Sequence, residues 1–140
     1  MLRQILLAGV VSACNIAIHA LVMAAVFGVT KAATRRFASH RSGLLIAVMI
    51  ATVAVLMAAH VLEVMVWAGA YAIFEVAPAG TDMYYFAFVN YTTLGYGDVI
   101  PVERWRLIGP MTAMNGVLLF GWSTAVIFHV LLRVLEKTRA

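Results

Sequence analysis

Charged side chains are scarce in this sequence. Its 140 residues hold 10 basic and 6 acidic side chains, and 64% of them are hydrophobic. Mean hydropathy is +0.98. A soluble globular domain carries about a quarter charged residues, so that class is excluded. Cysteine is nearly absent as well: the single Cys14, inside an apolar run, supports no disulfide framework and says nothing about redox compartment. No segment repeats within the chain. The first apolar stretch lacks Arg or Lys at three-residue spacing, which argues against a voltage-sensing helix. Nor is there an enzymatic constellation. His60 and Glu63 could serve as two metal ligands, but two such groups without a third nearby in sequence are a weak signal.

Apolar sequence is what the chain has in abundance. Three uncharged stretches, 5–29, 42–62 and 107–132, each exceed the roughly 20 residues needed to cross a hydrocarbon core. The fold expected is an all-α membrane protein with three spanning helices. Segment 82–98 is too short and too polar at its ends to span, and reads as a re-entrant loop, tolerated at membrane depth only where protein or a water-filled path surrounds it. The N-terminus has the look of a secretory signal ending at Cys14, but the apolar run continues well past that residue and is read as a transmembrane helix.

Between the second and third stretches lies Asn90-Tyr91-Thr92-Thr93-Leu94-Gly95-Tyr96-Gly97-Asp98. Glycine reaches positive φ without steric cost. Two glycines alternating with larger residues therefore suit a backbone of alternating conformation whose carbonyls aim at one axis. Thr-Leu-Gly-Tyr-Gly-Asp resembles the selectivity-filter signature of potassium channels, in which backbone carbonyls replace the hydration shell of K⁺. Leu94 departs from the commoner Val, a change that leaves the carbonyl in place. The setting agrees: an apolar and aromatic run, 84–89, precedes the motif, and Asp98, Pro101 and a long hydrophobic segment from about Leu107 follow it.

The resemblance spans about 43–135. It implies a pore domain over 43–140, with outer helix 43–74, pore helix 82–92, filter 93–98 and inner helix 104–136. Residues 1–30, a further transmembrane helix, and 31–42, a basic loop, lie outside that pattern. K⁺ would be held by carbonyls of Thr93, Leu94, Gly95 and Tyr96, with Gly97 completing the filter. One chain carries one copy of the motif while a carbonyl ring needs several, so a homotetramer in the lipid bilayer is implied. Tyr85 and Phe86 fall at the aromatic positions around Tyr96. Neither is Trp, which leaves the Tyr85 hydroxyl as the replacement donor to Asp98. Val89 stands where some relatives have a buried Glu, so no carboxylate pairs with Asp98. Gly116 falls at the inner-helix hinge. No cofactor beyond K⁺ as permeant ion and no nucleic acid is expected. Only seven residues follow Arg133, too few for a cytoplasmic regulatory domain in this chain.

At 100° per residue Val117, Phe120, Thr124, Phe128, Leu131 and Leu135 share one face of the third long helix. That face is expected to line the pore, with Thr124 as its polar point and Phe128 and Leu131 as a gate that closes by dewetting. Asn115, Trp122 and His129 lie opposite and should pack on other helices. Ser12, Asn15 and His19 share a face of the first helix, a pattern expected of helix-helix contact, with tuning of the pore as the alternative.

Lys31, Arg35, Arg36 and Arg41 with no acid mark a cytoplasmic loop by the positive-inside rule. The pore loop and N-terminus then lie outside, and the C-terminus, with Arg133, Lys137 and Arg139, inside. A plasma (inner) membrane is the expected location. Glu63 is an ionisable group within a span and so a candidate functional residue. Asn15, Glu63 and Asn115 each lie about ten residues, roughly 15 Å, from the outer end of their helix. A polar cluster is expected behind the filter, in which Glu63 meets Asn90, Asn115, Asn15 or His60. Its plain role is to brace the pore helix; its sharper one is a protonatable control on the filter. The sequence reads as a K⁺-selective channel subunit that conducts passively. A weakly selective cation channel and a non-conducting regulatory subunit are the alternatives.

Overall fold

The computed structural model describes residues 1–36 and 41–139, and the side chains of 33–36, 41, 42, 44 and 137–139 lie outside that description. Part of the expected basic loop, 37–40, falls outside it, and so do the side chains of Arg35, Arg36, Arg41, Lys137 and Arg139 on which the orientation reading drew. The chain is all-α: α1 Leu2–Arg36, α2 Arg41–Ile73, α3 Met83–Tyr91 and α4 Ile108–Arg139, with a 3-10 turn at Glu103–Trp105. Three segments are long and apolar enough to cross a membrane, Leu2–Ala32, Leu45–Ile73 and Glu103–Glu136. The short α3 sits between the second and third of them.

Two boundaries differ from those read in the sequence by more than three residues. Helix α1 continues to Arg36, into the stretch expected as loop, because residues 31–36 hold neither Gly nor Pro and are mostly Ala, Lys and Arg, which favour helix. Regular helix in α4 begins at Ile108 and not at 104, since 103–105 winds as the 3-10 turn, with the Trp105 N–H donating to the Val102 carbonyl at 2.7 Å. Pro110 then falls in the first turn, where a missing N–H costs nothing. Helix α2 ends with Glu75 at φ +50°. The Val76 N–H reaches back to the Tyr71 carbonyl and the Glu75 N–H to that of Ala72, the paired bonds of a Schellman turn.

Helices α1 and α3 both pack on α2 and α4. One apolar core, around α3, contains Ala8, Trp67, Tyr71, Phe86, Tyr91 and Ile108; a second, nearer the far ends of the long helices, contains Met23, Leu56, Val126, Val130 and Val134. On every long helix the residues between these two cores include buried polar side chains: Asn15 and His19 on α1, Glu63 on α2, Thr112, Asn115 and Ser123 on α4. The chain is therefore layered apolar, polar, apolar. In a bilayer the hydrophobic effect gives no net drive for helices to associate, and close packing and interhelical hydrogen bonds carry more of the specificity.

The additional helix α1 is fastened along its length. At one end the Leu107 N–H donates to Gln4 Oε1 at 2.8 Å, and the Arg3 guanidinium lies 5.4 Å from the centre of the Trp105 ring. Midway, Asn15 Nδ2 donates to Asn115 Oδ1 at 3.2 Å and the His19 and Trp122 rings are 5.1 Å apart. Further along, Phe27 meets His129 edge-on at 5.2 Å. Asn115, Trp122 and His129, spaced by seven, thus all face α1.

Candidate functional site

The segment after α3 is set up by the helix's two ends. Asp82 caps the start, its carboxylate accepting from the N–H groups of Tyr84 and Tyr85 at 3.0 and 3.1 Å, which satisfies orphan donors and places negative charge where the helix dipole favours it. At the other end the N–H groups of Thr93, Leu94 and Gly95 point back at α3, to the carbonyls of Asn90 (3.1 Å) and Val89 (3.0 and 3.4 Å). A trans peptide holds its carbonyl opposite its N–H, and no peptide among the described residues is cis. The carbonyls of Thr92, Thr93 and Leu94 therefore face away from the end of α3.

Every second residue here is left-handed: Thr93 at φ +61°, Gly95 at +60° and Gly97 at +78°. Two of the three are the glycines that the sequence points to. Thr93 is the surprise, because a β-branched residue at positive φ is a steric outlier worth about 1–2 kcal/mol. Such strain persists where surrounding structure enforces it and gathers at functional sites. Residues 92–98 are all exposed in the single chain; Leu94 keeps 54% and Tyr96 68% of its surface, although both are large and apolar. Two side-chain hydrogen bonds flank the segment: Thr92 Oγ1 donates to the Phe88 carbonyl at 2.7 Å, and at the far turn the Tyr85 hydroxyl donates to Asp98 Oδ2 at 2.7 Å. Phe86, the neighbour of Tyr85, is buried with its ring 5.3 Å from Tyr71.

The bond to Asp98 raises the Tyr85 pKa above the usual tyrosine range, since ionising the phenol would remove the donor and set two negative charges side by side. A raised pKa means the contact is complete below the ordinary tyrosine range and is lost as pH climbs through the shifted value. In a spectrophotometric tyrosine titration, Asp98→Asn should bring one late-titrating phenol back to the usual range, and Tyr85→Phe should delete it. An unchanged Asp98→Asn curve would mean the bond does not form in solution.

Behind α3 lies the polar layer. Glu63 is fully buried: Oε1 lies 2.8 Å from His19 Nδ1 and Oε2 2.9 Å from His60 Nδ1, while the Tyr91 hydroxyl donates to Oε2. Of the partners expected for Glu63, His60 meets its carboxylate, Asn15 donates to its backbone carbonyl at 3.2 Å, and Asn115 is joined through Asn15. Asn90 is not in this group. Its Nδ2 donates to the Tyr71 hydroxyl at 3.3 Å, and that hydroxyl is 2.7 Å from Thr112 Oγ1, so Asn90 ties α3 to α2 and α4 by a separate chain of bonds. Three members went unforeseen in this role. The face of His19 is expected to make helix contact, with tuning of the pore as the alternative, and neither Tyr91 nor Ser123 carries an expectation of this kind. A signal did exist for the last: Thr112, Asn115, Leu119 and Ser123 follow the 3, 7, 11 spacing of one helix face and are all buried.

The α4 face expected to line a pore is divided. Val117, Thr124 and Phe128 are exposed in the single chain, and Leu131 and Leu135 are half-buried. Phe120 is not on a free face. Its ring lies 4.6 Å from His60 and 5.4 Å from Tyr91, closing over the polar layer. Gly116, expected as a hinge, has a steric reason to be glycine: a Cβ there would stand 2.1 Å from the Tyr91 carbonyl oxygen. The lack of a side chain lets α4 lie directly against the end of α3, and this close approach draws Phe120, one turn on, inward.

A family model described as an ion channel matches residues 45–133, which takes in most of α2, all of α3, the left-handed segment and most of α4, and leaves α1 outside. Neither the curated proteins nor the solved structures gave a match to the chain. With a re-entrant helix and loop held between two spanning helices, and more than half of its length matched, the chain belongs to this ion channel family.

Proposed function

We propose that the protein is a potassium-selective channel subunit that works as a homotetramer in a plasma (inner) membrane, with the C-terminus cytoplasmic and the α2–α3 connection outside. The observation that carries this reading is the backbone after α3: alternating left-handed residues in Thr93-Leu94-Gly95-Tyr96-Gly97, with the N–H groups of Thr93, Leu94 and Gly95 turned toward the helix and the carbonyls of Thr92, Thr93 and Leu94 turned away. Four such segments around one axis would surround it with oxygen, and K⁺ would exchange its water shell for carbonyls of Thr93, Leu94, Gly95 and Tyr96. The apolar surface of Leu94 and Tyr96 left open in one chain would be covered by neighbouring copies. Tyr85 and Asp98 hold the outer turn, and Asn90 and Glu63 brace α3 from behind. Thr124 and Phe128 would line the inner cavity, with Phe128 and Leu131 forming its apolar constriction.

The test is reversal potential in planar bilayers with K⁺ on one side and Na⁺ on the other, for wild type and Gly97→Ala. In the single chain a Cβ on Gly97 meets nothing within 4 Å, so the change acts through its φ of +78° and costs roughly 1–2 kcal/mol per filter strand. Wild type should reverse near the K⁺ equilibrium potential, and the variant should lose that selectivity. Robust wild-type current reversing near zero would reject K⁺ selectivity, and a verified tetramer without current would reject the conducting role.

A further inference from the structure

We infer that His19, His60 and Glu63 form a binding site for a first-row divalent transition-metal ion of the zinc class, set in the polar layer between α1, α2 and α4. Nothing in the proposed conduction path uses these groups as ion ligands, and K⁺, a weakly coordinating ion, has no use for imidazole.

Four observations converge on this. The first is donor identity and placement. His60 and Glu63 stand one turn apart on α2, His19 enters from α1, and one ligand atom from each lies within 4.8 Å of the others. Both histidines offer the same nitrogen, Nδ1, to the two oxygens of one carboxylate, at 2.8 and 2.9 Å. Two imidazoles and a carboxylate are the donor set of many zinc sites, and imidazole selects zinc, cobalt or nickel over magnesium and calcium. The Tyr91 hydroxyl, 3.0 Å from His60 Nδ1, stands where a fourth oxygen ligand would be. Ligand atoms around a tetrahedral zinc with bonds of about 2.0–2.1 Å lie roughly 3.3 Å apart, so the two imidazole–carboxylate pairs would open by about half an ångström and ligand atoms as far apart as 4.8 Å would draw in.

The second is what surrounds the ligands. A metal-bound imidazole normally donates its other N–H to an oxygen that fixes the ring. Here both Nε2 atoms face one oxygen, Ser123 Oγ, at 2.9 Å from His60 and 3.4 Å from His19. A hydroxyl oxygen has two lone pairs, so it can accept from both rings when metal occupies both Nδ1 positions. Two neutral imidazoles that instead donate from Nδ1 to Glu63 would turn two acceptor Nε2 atoms toward a hydroxyl with a single proton, leaving one unmatched.

The third is charge. Glu63 is fully buried in a membrane-spanning helix, and the partners that reach its carboxylate are two imidazoles and a phenol. An ionised carboxylate at that depth is costly without a cation, and a divalent ion supplies one. The fourth is a way in: 12% of the His60 side chain is open, against none of His19 or Glu63. A bound ion would clip α1 to α2 and, through Tyr91, steady the last turn of α3.

The test needs no ion flux, so its outcome is separate from that of the channel reading. Untagged full-length protein in detergent is stripped with chelator, offered Zn²⁺ or Co²⁺ with excess Mg²⁺ present, desalted, and read by elemental analysis and visible spectroscopy. About one zinc per chain is expected, with the visible bands of low-coordinate Co²⁺. His19→Gln and Glu63→Gln should lower metal content at least tenfold, while His129→Gln, a histidine outside the layer, should not. His19→Cys should keep the metal and add a thiolate-to-cobalt charge-transfer band, which no folding defect would produce. Wild type that retains no zinc, or a His19→Gln protein that binds as wild type does, would reduce the triad to a hydrogen-bond network.

Discussion

Gly116→Ala should prevent a folded subunit from accumulating. The added methyl would lie 2.1 Å from the Tyr91 carbonyl oxygen and 3.0 Å from the carbonyl carbon, so no side chain can swing aside to admit it. Overpacking a well-filled site costs about 1–3 kcal/mol where neighbours can adjust. With main chain on both sides, the expected loss is at the top of that range or above it. Helix α4 would have to draw away from α3, and the Phe120 contacts over His60 and Tyr91 would go with it. Gly121→Ala is the control. It lies in the same helix, its Cβ would meet nothing within 4 Å, and Ala is better than Gly in a helix by roughly 0.5–1 kcal/mol. Thermal unfolding in detergent, followed by size-exclusion chromatography, separates the two. A hinge role alone would let Gly116→Ala fold with near wild-type stability and change only opening, so a melting temperature close to wild type would remove the packing argument.

Glu63→Ala is the second large effect. It takes one acceptor away from three donors at once, His19 Nδ1, His60 Nδ1 and the Tyr91 hydroxyl, on three different helices. An unsatisfied buried donor costs about 1–3 kcal/mol, while hydrogen bonds between membrane helices measure closer to ~0.6 kcal/mol on average because the unfolded reference also finds partners. Between those scales the expected destabilisation is roughly 2–5 kcal/mol. Glu63→Gln keeps one carbonyl oxygen at the same place and should cost less than half as much. The ordering Ala, then Gln, then wild type in melting temperature checks it. Equal melting temperatures for all three would mean that the polar layer contributes nothing to holding α1 and α3 in place.

Much of the arrangement was legible because it follows from local rules. Three uncharged stretches longer than a bilayer is thick become spans whatever their partners are. Asp82 ahead of an aromatic run becomes the N-cap of α3. Gly95 and Gly97 accept positive φ. Tyr85, expected as the donor to Asp98, reaches it. Counting depth from helix ends also brought Asn15, Glu63 and Asn115 to one layer, since rise per residue is fixed.

The partners within that layer were not legible, and the reason is geometric. Periodicity says which residues share a face, but not how one helix is turned or slid against the next. His19 and Glu63 are separated by 44 residues, and Asn15 and Asn115 by 100. A slide of one turn would have paired different groups. The left-handed Thr93 is likewise imposed by the hydrogen bond its N–H donates to the Asn90 carbonyl of α3, against its own preference. By itself, then, the sequence determined the spans, the re-entrant helix and the glycine-bearing loop, all consequences of composition and local backbone freedom. Only the tertiary structure decided that Gly116 is a contact with Tyr91, that Phe120 faces inward, and that His19 joins His60 and Glu63. Each of these depends on the relative rotation and depth of helices distant in sequence, which packing sets and no local pattern encodes.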